Sequence, residues 1–125
     1  MITHLAFATL YVTDQQETLD FFVGTLGFTV HTDAEMAPGK RWLEVELPGA
    51  RTRVVIAKAA DFGITPDPKR GAGFNLACDD VMATHAQLAA AGAPVSDPVV
   101  EPWGAFVTVS APDGMEIMIS QATSA

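Results

Sequence analysis

Phe7-Ala-Thr-Leu-Tyr-Val-Thr-Asp14 is an extended apolar run that ends on an Asp, and Gly73-Phe-Asn-Leu-Ala-Cys-Asp-Asp80 repeats the form in the second half of the chain. An Asp after a strand-like run is a good helix N-cap, because its carboxylate accepts from the first free backbone N–H groups. After Asp14, the residues Thr18, Leu19, Phe21, Phe22 and Leu26 recur at helical spacing, and the pattern stops at Gly27. After Asp80, Val81, Met82, His85, Leu88 and Ala89 do the same and stop at Gly92. Glycine adopts the left-handed conformation that ends a helix at little cost. Each predicted helix leads into a short strand, Phe28-Thr-Val30 or Ala93-Pro-Val95.

The match continues outward. Trp42-Leu-Glu-Val-Glu-Leu-Pro-Gly49 parallels Phe106-Val-Thr-Val-Ser-Ala-Pro112, and each leads through a turn into a further strand, Arg53-Val-Val-Ile-Ala57 or Met115-Glu-Ile-Met-Ile119. Alternation along Trp42 to Glu46 and along Met115 to Ser120 is that of a sheet with one face buried under a helix. The order in each half is therefore β-α-β-β-β, an internal repeat. Module one is expected over about 1–60, a linker without periodicity over about 59–71, and module two over about 72–125, together a single domain. The stretch Thr32 to Arg41, with Pro38-Gly39-Lys40, reads as a loop over one end of the sheet, and His31 as its beginning.

With 125 residues, 49% of them hydrophobic, the chain can bury one real core. It opens Met1-Ile2-Thr3-His4 without a basic leader and nowhere contains the roughly 18 consecutive apolar residues of a membrane span, so a cytoplasmic location is expected. A single cysteine, Cys78, excludes an intramolecular disulfide and, beside Leu76 and Ala77, reads as a small core residue. Seven Lys+Arg against fifteen Asp+Glu give a net charge of -8, which repels a phosphate backbone and leaves a cationic ligand more welcome than nucleic acid.

Two β-α-β-β-β modules, together with Leu10-Tyr-Val-Thr-Asp14, Leu19-Asp-Phe-Phe22, Leu26-Gly-Phe28, Pro102-Trp-Gly104 and Ala111-Pro-Asp-Gly114, resemble the glyoxalase/bleomycin-resistance group of the vicinal oxygen chelate superfamily. The resemblance implies an α+β fold in which each module curls a mixed sheet into half of a cup with its helix outside, and a homodimer. It also implies a site for a divalent metal, one ligand from the first and last strand of each module. The register of the motifs puts those positions at Phe7, at Gly73 or Phe74, at Met118, and within Val55, Ile56 and Ala57. None of these side chains suits Zn, Ni, Fe or Mn. His4, His31 and His85 lack the spacing of a substitute site, so no metal and no cofactor is expected.

What remains to line the cup is set by alternation. If Phe7 points inward, so do Thr9 and Tyr11; from the other strands come Asn75, Glu116 and Met118, and Trp42, Trp103 and Phe106 stand near the rim. Apolar walls with a few polar anchors describe a small-molecule site. Glu44, Glu46 and Glu116 fit either a desolvated general base or a solvated strand face. The expectation is thus a metal-independent small-molecule-binding protein, similar to the family's antibiotic-sequestering, bleomycin-resistance-like members, with an aromatic or cationic ligand. The alternative is a glyoxalase-type lyase or isomerase, for which the family implies bound Ni, Zn, Fe or Mn.

Overall fold

The computed structural model describes residues 1–122; the last three positions of the expected 1–125 domain lie outside the described residues. It divides into two compact units, Met1–Pro66 and Asp67–Ala125, with the boundary inside the expected linker. The first contains β1 (Phe7–Val12), α1 (Gln15–Gly24), β2 (Thr29–Ala37), β3 (Lys40–Glu46) and β4 (Arg53–Lys58). The second contains β5 (Asn75–Ala77), α2 (Val81–Ala90), β6 (Val99–Glu101), β7 (Gly104–Ser110) and β8 (Glu116–Ala122). The linker carries two short 3-10 turns, Ala59–Phe62 and Pro68–Arg70.

Each unit builds one mixed four-stranded sheet with the same strand order, β1-β4-β3-β2 and β5-β8-β7-β6. The first strand of each lies parallel to the last, and the remaining pairs are antiparallel. The fold is α+β, and neither sheet closes into a barrel.

Both helices start as the two Asp residues predict. The carboxylate of Asp14 accepts from the Glu17 amide at 3.0 Å, and that of Asp80 accepts from the amides of Met82 and Ala83. Both end by wrapping back through a left-handed glycine. Gly27 has φ 81 and lets the Phe28 amide reach the Phe22 carbonyl; Gly92 has φ 78 and lets the Ala93 amide reach that of Leu88. On the helix side of the first sheet, Leu10, Val12, Leu43, Val45, Val54 and Ile56 are buried with Leu19 and Phe22 of α1. Gln15 closes the edge of this core, its amide donating to the carbonyls of Ile56 and Arg41 at 2.9 Å each. In the second unit Val107, Val109, Ile117 and Ile119 are buried, as are Val81 and Leu88 of α2.

Four sequence expectations change. The stretch 32–41 is no loop: β2 and β3 form a hairpin around Pro38 and Gly39, where Gly39 supplies φ 75, so His31 lies within a strand. No side chain of β2 is buried, so the strand carries no periodic signal, and its pairing shifts register at His31 and at Met36. The strand expected at 93–95 reduces to one bridge, Val95 to Val109, and β6 forms further on. The expected extended run from Gly73 shrinks to three residues, because Gly73 itself sits at φ 79, outside the strand region. Cys78 is half-buried rather than a core residue.

The β2–β3 hairpin is clamped by Arg41, whose Nε and Nη2 donate to the two Asp33 oxygens at 2.8 Å each. The hydrogen bond from Arg41 holds the Asp33 carboxyl below its usual range, against a smaller opposing effect of desolvation. A carboxylate lowered on folding contributes stability that is complete above its unfolded pKa and is lost as pH falls through the folded value. Both partners are well exposed, so the contribution is expected to stay within about 1 kcal/mol. An NMR titration is expected to place the Asp33 midpoint below the ordinary aspartate value, and Arg41→Gln to raise it.

Candidate functional site

Sheet register assigns the face of each side chain away from its helix. In the first unit Phe7, Thr9 and Tyr11 of β1 lie beside Arg53, Val55 and Ala57 of β4, and Val55 lies beside Glu44 of β3. Trp42, two residues before Glu44, shares this face and meets the Phe7 ring edge-on, with centroids 6.0 Å apart. Tyr11 meets Phe62 in the same manner. All four site residues expected from this module therefore share one face.

At its centre the carboxyl-bearing Glu44 is only 8% exposed. One carboxylate oxygen accepts from the Trp42 indole N–H at 2.8 Å, the other from Arg53 at 3.2 Å, and His31 Nδ1 stands 3.7 Å away. The register shift at His31 carries that ring to the edge of the cluster. Glu44 is therefore neither a solvated strand carboxylate nor a free base; it is tied to an indole and a guanidinium. Removing a buried acceptor leaves its donors unpaired. Glu44→Leu is expected to cost about 1–3 kcal/mol in urea denaturation, and Glu44→Gln less, since an amide oxygen still accepts from the indole.

In the second unit Asn75 pairs with Met118, which pairs with Thr108; Glu116 pairs with Ser110, and Ser120 with Phe106. These side chains share the face opposite the core residues Ile117 and Ile119. Trp103 occupies the turn between β6 and β7, 52% exposed, and stacks on Phe106 with centroids 5.7 Å apart and planes 7° from parallel. Beside this face opens a cavity of about 380 Å³, within the usual range of ligand pockets.

The cavity brings together three of the expected site residues, Asn75, Glu116 and Met118, and adds Thr108, Lys69 and Arg70. Phe106 and Trp103 stand on the same unit but do not line it. Sequence reading missed the two cations because they lie in the aperiodic linker. One signal was available: they are the only Lys or Arg in residues 59–125. The fold fastens their turn to β8, where the Ala72 amide donates to the Glu116 carbonyl at 3.0 Å. Gly71, at φ 65, makes that approach; a Cβ there would stand 3.1 Å from the same carbonyl oxygen.

The positions that the family resemblance assigns to a divalent ion present an aromatic ring at Phe7, a bare α-carbon at Gly73 or a ring at Phe74, a thioether at Met118 and aliphatic groups on β4. Such a set does not fit Zn, Ni, Fe or Mn. Among the described residues no group of three or more His, Cys, Asp or Glu converges on a point. No helix of the described residues is long and apolar enough to cross a membrane.

Comparison with known proteins agrees with this geometry. TnmS3, an antibiotic binding protein from Streptomyces sp. CB03234, superposes with a TM-score of 0.86 at 34% identity, covering 98% of each chain. A glyoxalase/bleomycin resistance protein/dioxygenase superfamily member from Sphaerobacter thermophilus DSM 20745 superposes with a TM-score of 0.86 at 30% identity, covering 96% of this chain and 98% of that one. YetH of Bacillus subtilis (strain 168) is 30% identical over 97% of this chain and its own full length. The model of the Glyoxalase/Bleomycin resistance protein/Dioxygenase superfamily matches residues 2–119, and with the two β-α-β-β-β units in place the chain belongs to that superfamily.

Proposed function

We propose that this protein binds an aromatic small molecule and sequesters it without transforming it, independently of any metal. The observation that carries this reading is the cavity of about 380 Å³ on the second sheet, where Asn75 and Thr108 offer hydrogen bonds beside the thioether of Met118. Apolar surface supplies binding area in such a site, and a few polar groups fix orientation. Similarity to TnmS3, an antibiotic binding protein, supports the same reading, and an antibiotic is the ligand class we favour. The stacked Trp103 and Phe106, and the Phe7–Trp42 pair on the first unit, are further aromatic surface for a planar ligand. We place the one-domain protein in the cytoplasm and, as the family resemblance implies, in a homodimer.

Saturable binding in calorimetry against a panel of aromatic antibiotics, with ligand recovered intact after prolonged incubation, is the expected result. Stoichiometric Ni, Zn, Fe or Mn in the purified protein, with the panel compound converted, would instead support the lyase or isomerase reading.

A further inference from the structure

We infer that the cavity on the second sheet recognises its ligand through an anionic oxygen group, a carboxylate or an ionised phenol, held by Lys69 and Arg70. The inference rests on the small-molecule reading above and reverses the ligand charge that the acidic composition favours.

The second unit carries seven carboxylates, Asp67, Asp79, Asp80, Asp97, Glu101, Asp113 and Glu116, and two cations. Both cations are exposed and line one cavity, and neither forms an ion pair with any described residue. Asp67, the nearest acid in sequence, is engaged by the backbone, its carboxylate capping the Pro68–Arg70 turn by accepting from the Lys69 amide at 3.1 Å. Glu116 is the one carboxylate in the lining, so the cavity holds a net +1 within a chain of net charge -8.

The backbone that carries the cations is anchored at both ends. Asp67 fixes one end of their turn, and the Gly71 approach with the Ala72 to Glu116 hydrogen bond fixes the other against β8. An anion that meets the two cations has Asn75 and Thr108 within the same cavity to take its remaining oxygen contacts, while Met118 supplies apolar area for the ring that carries it. Arg and Lys bonds to a carboxylate are charge-assisted and stronger than neutral ones. Glu116 discriminates against a ligand that carries a second negative charge on the opposite side.

Three matched probes test this: 2-naphthoate, 2-naphthamide and 2-naphthylmethylammonium, titrated by calorimetry into the full chain and into Lys69→Gln/Arg70→Gln. On the natural sequence, 2-naphthoate is expected to bind about tenfold more tightly than the amide, with the ammonium weakest. Its affinity is expected to fall as sodium chloride rises, because the attraction is screened. In the double variant, acid and amide should come within about twofold of each other, with amide affinity little changed. Equal binding of acid and amide by the natural sequence overturns the inference and leaves the small-molecule reading standing. So does a preference for the acid that survives the double substitution. If none of the three saturates, both the reading and the inference fall.

Discussion

Replacing Asn75 by Trp is expected to leave the fold intact and to cost most of the affinity for 2-naphthoate or any other ligand of the cavity on the second sheet. Asn75 is exposed on β5, and its side chain lines the cavity rather than the core, so a larger residue meets no packed neighbour beneath the sheet. Aromatic residues are well tolerated in strands. The indole would occupy the space that the ligand needs. Shutting out about 100 Å² of apolar ligand surface costs about 2.5 kcal/mol, or roughly 70-fold in Kd. Calorimetry reads the loss, and an unchanged far-ultraviolet circular dichroism spectrum and urea midpoint show that folding is not its cause. Undiminished affinity in a folded Asn75→Trp protein would place the ligand elsewhere and sink the assignment of this cavity.

Phe22→Ala is expected to be the most damaging single truncation in the first unit. The ring is 0% exposed, packs edge-on against Phe28 at 5.0 Å, and belongs to the one helix that covers the first sheet. Truncating a buried Phe removes its transfer free energy and leaves a cavity, about 3–5 kcal/mol in all. For a chain of this length that corresponds to a fall in Tm on the order of 10–20 °C. Phe7→Ala is the control: this ring is 42% exposed and forms a T-shaped pair with Trp42, so about 1 kcal/mol is expected. Urea denaturation of the two variants side by side checks the contrast. Equal costs would mean that the face bearing Phe7 is covered as completely as the face under α1.

The two Asp caps were legible because capping is a local contest between a side chain and three or four amides. Burial on the helix-facing side was legible for a similar reason: alternation in Met115 to Ile119 reports directly on which residues exclude water. The length of β2 was not legible past Val30, since every one of its side chains is at least partly exposed and hydrophobic period is the signal on which strand prediction depends. Its extension to Ala37 is owed to pairing with β3, a non-local hydrogen-bond ladder. The cluster at Glu44 was half legible. Alternation put Trp42 and Glu44 on one face, but nothing in residue order brings Arg53 and His31 to the same carboxylate; strand pairing and a register shift do that.

For this protein, the sequence by itself determined the repeated β-α-β-β-β order, the helix starts after Asp14 and Asp80, and the facing of alternating strand residues such as Met115, Ile117 and Ile119. Each follows from chemistry confined to one residue or one element: a cap or a period. Only the tertiary structure decided that Lys69 and Arg70 border the cavity of Asn75, Glu116 and Met118. The linker has no hydrophobic period to place it; the Ala72 to Glu116 backbone hydrogen bond and a glycine able to make the close approach fasten its end to β8.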